Sequence, residues 1–167
     1  MSFLLAKIYL LVIFVVLLVI STFLVTQIRL RQDLEKNLTK LQSIKTYQNN
    51  FKLGQIYLRK NIYNKAIQEF RLSFKNWDKE DRLGLASLFN TLGFTYYKLK
   101  EYEIAIYYYG IALQLTPDYI TCLINVTYLY QTQNQISSLE ESLNKVDQYD
   151  PTNKRVDELK LFLNRRL

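Results

Sequence analysis

Residues 86–119 read ASLFNTLGFTYYKLKEYEIAIYYYGIALQLTPDY, and this stretch decides the fold. Within it Phe89, Leu92-Gly93, Tyr96, Ala105, Tyr109, Ala112 and Pro117 stand at set intervals. Counted from the leucine, Gly93, Tyr96, Ala105 and Tyr109 fall at offsets 1, 4, 13 and 17, and Leu53, Gly54, Tyr57, Ala66 and Phe70 repeat the same offsets. A fixed internal period in a chain of helices means stacked copies of one supersecondary unit. The spacing describes two antiparallel helices that approach closely where a glycine meets a small residue. Large aromatics one turn away then fill the space on either side.

The copies differ in quality. Residues 86–119 form the strongest; residues 47–80 have Asn50 for the first aromatic, Ser73 for the later alanine and Asp78 for proline. A third copy, 120–153, keeps Tyr130 and ends Tyr149-Asp-Pro-Thr-Asn153, but has Thr127 for the glycine and Leu139 for the small residue. Those two larger residues predict a wider separation of its helices. Between the first two copies, Glu80 to Leu85 lengthens the spacing from 34 to 39 residues, and Asp78 is expected to cap a helix running early into the second copy. After the third, Val156, Leu159 and Leu163 give 154–167 one apolar stripe backed by Lys and Arg, as a solenoid's capping helix requires.

Composition excludes most chemistry. The 167 residues carry 22 Lys+Arg against 15 Asp+Glu, a net charge of +7, one cysteine and no histidine. Without imidazole there is no histidine general base, no histidine–metal ligation and no Ser-His-Asp or Cys-His pair. Cys122 alone makes neither an intrachain disulfide nor a paired-cysteine zinc or redox site. Four glycines, none in a phosphate-binding array, leave no nucleotide cradle. Glu140 and Glu141, adjacent on a helix, point apart and form no acid–base pair. The expectation is a protein that is not an enzyme, with no catalytic residue, cofactor, metal or small-molecule substrate. Charge also disfavours nucleic acid: residues 26–46 sum to +3 and 47–80 to +4, but 81–119 to −1 and 120–153 to −3, which breaks any continuous basic stripe. Abundant Tyr, Phe, Ile, Asn and Lys beside five alanines point to an AT-rich genome, that of an organelle or a low-GC bacterium.

The amino-terminal end is of another kind. Phe3 to Val25 is predominantly apolar with Lys7 its only charge, and 23 helical residues span about 34 Å, enough for a hydrocarbon core of roughly 30 Å. The competing signal-peptide reading lacks a small-x-small cleavage pair after Ile20. An uncleaved anchor is therefore expected over 1–25, with residues 3–25 in the membrane. Arg29, Arg31, Lys36, Lys40 and Lys45 follow it, so the bulk of the chain belongs on the side of synthesis. The two N-x-[ST] matches, at Asn37 and Asn125, are then chance occurrences. Over 26–46, Leu30, Leu34, Leu38, Leu41 and Ile44 make one stripe: a helical stalk, with a dimer seam or a lipid-contacting surface as alternatives. The fold class is all-α: anchor, stalk, a solenoid over 47–153 and a cap.

The offsets and the Ala-x3-Phe pattern resemble the tetratricopeptide repeat (TPR). The resemblance implies that the first helix of each unit lines an inner face that binds protein partners. Its candidates here are Phe51, Gln55, Leu58 and Arg59; Asn90, Phe94, Tyr97 and Lys98; and Asn125 and Tyr128, with Gln48, Ser87, Thr121, Ile124, Gln131 and Thr132 beside them. Asn125 matches the asparagine with which many TPR domains hold a peptide backbone. The carboxylate clamp that binds chaperone C-termini uses Lys, Asn and Arg at set positions; here Phe51, Gln55, Thr91, Thr121 and Asn125 stand there, so only the asparagine type survives and chaperone C-termini are disfavoured. The alternative is a groove filled by the stalk or the capping helix. Tyr109 is expected in the core, and Tyr107 and Tyr108 on the helix surface.

The whole layout, anchor then stalk then repeats then basic helix, is similar to a plastid and cyanobacterial thylakoid TPR family associated with photosystem I assembly and stability. That resemblance implies a stroma-facing scaffold without catalytic residues or pigment ligands, whose partners are photosystem I subunits or assembly factors. Two other readings stay open: a bacterial membrane-tethered adaptor in envelope biogenesis or secretion, and a homo-oligomeric structural protein joined through the stalk.

Overall fold

The computed structural model describes residues 2–43 and 46–165. They divide into two units, residues 1–44 and 45–167.

The first unit is one uninterrupted helix, α1 (Ser2–Ser43), so the apolar stretch and the polar stretch after it share one axis. Its segment Lys7–Asp33 is long and apolar enough to cross a membrane, and none of it is buried against protein. Two hydroxyls in that segment return their hydrogens to the helix itself: Thr22 Oγ1 donates to the Val19 carbonyl at 2.9 Å, and Thr26 Oγ1 to Phe23 at 2.7 Å. Such internal satisfaction is what an apolar surround demands. Of the stripe proposed as a seam, the side chains of Leu34, Leu38 and Leu41 and the whole of Ile44 lie outside the described residues.

The second unit is a run of helical hairpins: α2 (Tyr47–Arg59) with α3 (Tyr63–Lys75), α4 (Arg82–Lys98) with α5 (Tyr102–Leu115), and α6 (Ile120–Thr132) with α7 (Ile136–Tyr149). A 3-10 turn (Lys154–Val156) leads into a last helix, α8 (Asp157–Asn164). Each hairpin turns through one residue in left-handed backbone, Asn61, Lys100 and Asn134, with φ of 59°, 65° and 56°. Counted from the start of each copy these are the same repeat position.

The close approach read from the spacing is present. A methyl placed on Gly93 would stand 2.7 Å from Cδ1 of Tyr109, and one on Gly54 would stand 2.5 Å from Cε1 of Phe70. Ala66, Phe70, Ala86, Ala105, Tyr109 and Ala112 are all fully buried. The departures from the pattern have their own physics. Asn50 donates across the first hairpin to Glu69 at 3.1 Å, and Ser73 donates to the carbonyl of Tyr47 at 2.7 Å. Thr127 folds its hydroxyl onto the Leu123 carbonyl at 2.6 Å, and both Thr127 and Leu139 are fully buried. Val156, Leu159 and Leu163 close the end of the stack by packing with Leu139, Leu143 and Val146.

Two expectations are corrected. Asp81, not Asp78, caps α4: its carboxylate accepts from the Gly84 amide at 2.8 Å and from the Trp77 indole at 3.1 Å. Asp78 instead accepts from the Glu80 amide at 3.0 Å, closing a local turn. The early start itself is present: α4 begins at Arg82, four residues before the second copy, with Asp78 and Asp81 bounding the turn that leads into it. Tyr108 does not coat the surface. Its ring stacks on Tyr96 with centroids 5.4 Å apart and on Phe89 at 6.1 Å, while Tyr107 is 64% exposed.

Candidate functional site

The inner-face candidates sit on α2, α4 and α6, the first helices of the three hairpins. On α4 and α6 they are tied together. Asn125 Nδ2 donates to Asn90 Oδ1 at 2.9 Å, and the hydroxyls of Tyr97 and Thr132 lie 3.2 Å apart. Asn90 is only 7% exposed, so this amide pair works as a strut that fixes α4 against α6.

Beside the strut lies an aromatic and cationic strip. Phe94 and Tyr97, one turn apart, stack with centroids 6.3 Å apart, and Lys98 Nζ stands 5.1 Å from the centre of the Phe94 ring. Tyr97 also leans on Tyr102 at 5.9 Å. Both rings are half-buried and Lys98 is exposed. The rings supply apolar area with little rotamer freedom left to lose, and the ammonium held over an aromatic face keeps donors for a carbonyl or carboxylate. The two rings are of the type that protein interfaces favour as anchors.

The α2 candidates are placed differently. Phe51 packs between Phe70 at 5.7 Å and Trp77 at 5.3 Å, and with Tyr47 it joins the aromatic cluster of the first hairpin. Leu58 packs on the main core, Gln55 is half-buried, and Arg59 is exposed in the last turn of its helix.

At the far end the cap contributes what the spacing could not show. Asn125, Tyr128 and Ile124 from α6 enclose, with Lys154, Arg155 and Glu158, a hollow of about 260 Å³. Tyr128 donates its hydroxyl to the Arg155 carbonyl at 2.8 Å, which fixes the cap on the inner face. The net +3 of residues 154–167 was the available signal for these cations. Their position depends on how the chain turns back after Pro151.

The groups with perturbed acidity lie elsewhere. Burial pushes the Cys122 thiol up to about 12. Burial also raises the Tyr109 phenol, whose hydroxyl has no hydrogen-bond partner among the described residues. Glu69 is raised by partial burial, against the opposing effect of the Asn50 amide. The strip on α4 and α6 therefore offers shape, rings and fixed charge, the means of binding.

Stacked hairpins with a Gly–aromatic close approach and an aromatic inner face define a tetratricopeptide-repeat protein, a class built to bind other proteins. The Tetratricopeptide repeat family profile matches residues 86–119. Among solved structures, the first TPR of Spaghetti (RPAP3), bound to the HSP90 peptide SRMEEVD, superposes with a TM-score of 0.64 at 14% identity, covering 72% of this chain and 92% of that one. MamA superposes with a TM-score of 0.63 at 18% identity, covering 74% and 72%. These likenesses concern the fold. The ycf37 protein of Guillardia theta is 34% identical over 171 residues, 99% of this chain and 96% of that one. The chloroplastic TPR domain-containing protein PYG7 of Arabidopsis thaliana is 27% identical over 151 residues, 87% of this chain and 50% of that one. The chain belongs to the ycf37 family.

Proposed function

We propose that this protein is a non-catalytic, membrane-tethered scaffold whose α4–α6 inner face holds protein partners, and that those partners are photosystem I subunits or their assembly factors. The observation that carries the binding reading is the strip of Phe94, Tyr97 and Lys98 beside the Asn90–Asn125 strut. The anchor reading rests on the bare apolar segment Lys7–Asp33, and the basic residues that follow the apolar stretch support an orientation with the repeats on the side of synthesis, the stroma in a plastid thylakoid. A relative named as chloroplastic supports a plastid setting, and the photosystem I assignment draws on the resemblance of the whole layout.

The mechanism is local concentration. A solenoid tethered by one helix is confined to a thin layer beside the bilayer, so partners anchored in the same membrane meet it at a raised effective concentration without any new contact. The fixed rings of Phe94 and Tyr97 reduce the ordering cost of each encounter.

The test is co-purification from native membranes in mild detergent through a carboxy-terminal tag, comparing wild type with Phe94→Ala/Tyr97→Ala. Photosystem I subunits enriched over photosystem II and ATP synthase, and lost in a double variant that stays helical by circular dichroism, are the expected result. Enrichment of envelope or secretion proteins, or of the bait alone, would remove the photosynthetic assignment. Unchanged capture by the double variant would remove the inner face as the binding surface.

A further inference from the structure

The outer face of the solenoid carries a second surface, where the two junctions between hairpins differ. At the first junction, Arg71 of α3, Phe89 of α4 and Tyr108 of α5 fill the space where the hairpins meet. Phe74, Phe89, Tyr108 and Tyr96 stand in series at 5.3, 6.1 and 5.4 Å, and Arg71 donates to the Tyr96 hydroxyl at 3.1 Å. At the second junction the same repeat positions are held by Gly110 of α5, Leu123 of α6 and Ser142 of α7. Three large side chains are replaced by three smaller ones.

The helices do not close over the difference. A notch of about 120 Å³ remains between α5 and α7, floored by Leu123, Val126 and Tyr130 of α6. Gly110 opens directly onto it: a methyl built there meets nothing within 4 Å. One turn earlier on α5, Tyr107 stands 64% exposed, so apolar surface continues beyond the notch. A pit lined by apolar atoms and large enough for one bulky side chain is the shape of an interface anchor site.

Its rim is acidic. Helix α5 carries Glu103 and no Lys or Arg, and α7 carries Glu140, Glu141 and Asp147 against the single Lys145. Lys145 is already engaged by Glu141 at 2.7 Å, and Asp147 by Lys160 at 2.6 Å. Glu103 and Glu140 are exposed on the two helices that flank the notch.

We propose that this notch is a second docking site, and that it takes one bulky apolar side chain, of leucine or phenylalanine size, presented by a protein segment flanked by Lys or Arg. The apolar anchor fills the place that Tyr108 and Arg71 occupy at the first junction. The flanking cations meet Glu103 and Glu140, since Glu141 is held by Lys145. Such a contact is independent of the inner face, so one chain can hold two partners, or two parts of one partner, at once.

The experiment uses the full chain in nanodiscs of neutral phosphatidylcholine, which give a basic peptide no lipid to bind. Three labelled helical 16-residue peptides are titrated by fluorescence anisotropy: one with a central leucine among lysines and arginines, one with the same leucine among glutamates, and the basic one with alanine at the centre. The basic leucine peptide is expected to bind at least tenfold more tightly than either control. Gly110→Leu should reduce that binding at least tenfold, Glu103→Gln/Glu140→Gln should flatten its salt dependence, and Phe94→Ala/Tyr97→Ala should leave it unchanged. Gly110→Arg, which copies the first junction, is a second blocking variant should leucine disturb the fold. Equal binding of the acidic peptide, full binding by both Gly110 variants, or loss only in the inner-face variant would overturn the proposal. So would a concentration-dependent dimer abolished by Gly110→Leu, which would assign the notch to a second copy.

Discussion

Replacing single glycines by alanine tests the packing directly, because the same chemical change meets opposite surroundings along one fold. In a helix interior Gly→Ala stabilises by about 1 kcal/mol, through backbone entropy. At Gly110 nothing opposes that gain, since the new methyl has no neighbour within 4 Å. Gly110→Ala should therefore stabilise by about 1 kcal/mol. At Gly93 the methyl would stand 2.7 Å from both Cδ1 and Cε1 of Tyr109 and 3.1 Å from the Ala105 carbonyl oxygen. The Tyr109 ring is fully buried and has no room to retreat. Overpacking of that kind costs about 1–3 kcal/mol. A clash with both a pinned ring and a backbone oxygen belongs at the upper end, for a net loss of about 2 kcal/mol. The two variants should thus differ by about 3 kcal/mol, or on the order of 10 °C for a domain of this size. The single tryptophan, Trp77, packs in the first hairpin and reports its melting by fluorescence. Circular dichroism at 222 nm follows the whole chain. If Gly93→Ala melts with or above Gly110→Ala, the Gly–aromatic close approach does not hold these hairpins together.

Other outcomes follow from single contacts. Lys100 sits in left-handed backbone at φ 65° where its two counterparts are asparagines; Lys100→Asn or Lys100→Gly should stabilise by about 0.5–1 kcal/mol in a urea melt. Asp81→Ala should lose about 1–2 kcal/mol, because it removes the helix cap and the Trp77 hydrogen bond together, whereas Asp78→Ala should lose less than about 0.5 kcal/mol. Stability should fall at alkaline pH. The buried Cys122 thiol rises from 9.0 to about 12 and Tyr109 is raised from 10.0, so the contribution of each is complete below its own ordinary value, 9.0 for the thiol and 10.0 for the phenol, and is lost as pH climbs from there toward the folded value. In that window each group steepens the fall by about 1.4 kcal/mol per pH unit, and urea midpoints at pH 8, 9 and 10 for wild type and Cys122→Ala measure the cysteine's share. An unchanged difference between the two across that range would show that the thiol ionises freely in the folded chain.

The candidate site was partly legible. Phe94, Tyr97, Lys98 and Asn125 follow from repeat position alone, because the register places them on α4 and α6. That Asn125 would spend its amide on Asn90, and that Phe51 would close the first hairpin against Trp77, depends on side chains 35 and 26 residues away in the chain, respectively. Tyr108 shows the same limit. Its place on the helix leaves it near the surface, and only Phe89 and Tyr96 beside it turn that place into a stacked junction. Asp78 and Asp81 are equally good caps by type, and the turn that ends at Asp81 selected between them.

The amino-acid sequence by itself determined the hairpins and their register, since a glycine matched with an aromatic at set offsets has one economical packing, and it determined the separate apolar helix at the amino terminus, since 23 apolar residues have few other uses. What lies between hairpins was decided only in three dimensions. Each junction is filled by side chains from three helices at once, and whether their volumes close the space is a property of the sum. At the first junction Arg71, Phe89 and Tyr108 fill it; at the second Gly110, Leu123 and Ser142 leave a notch.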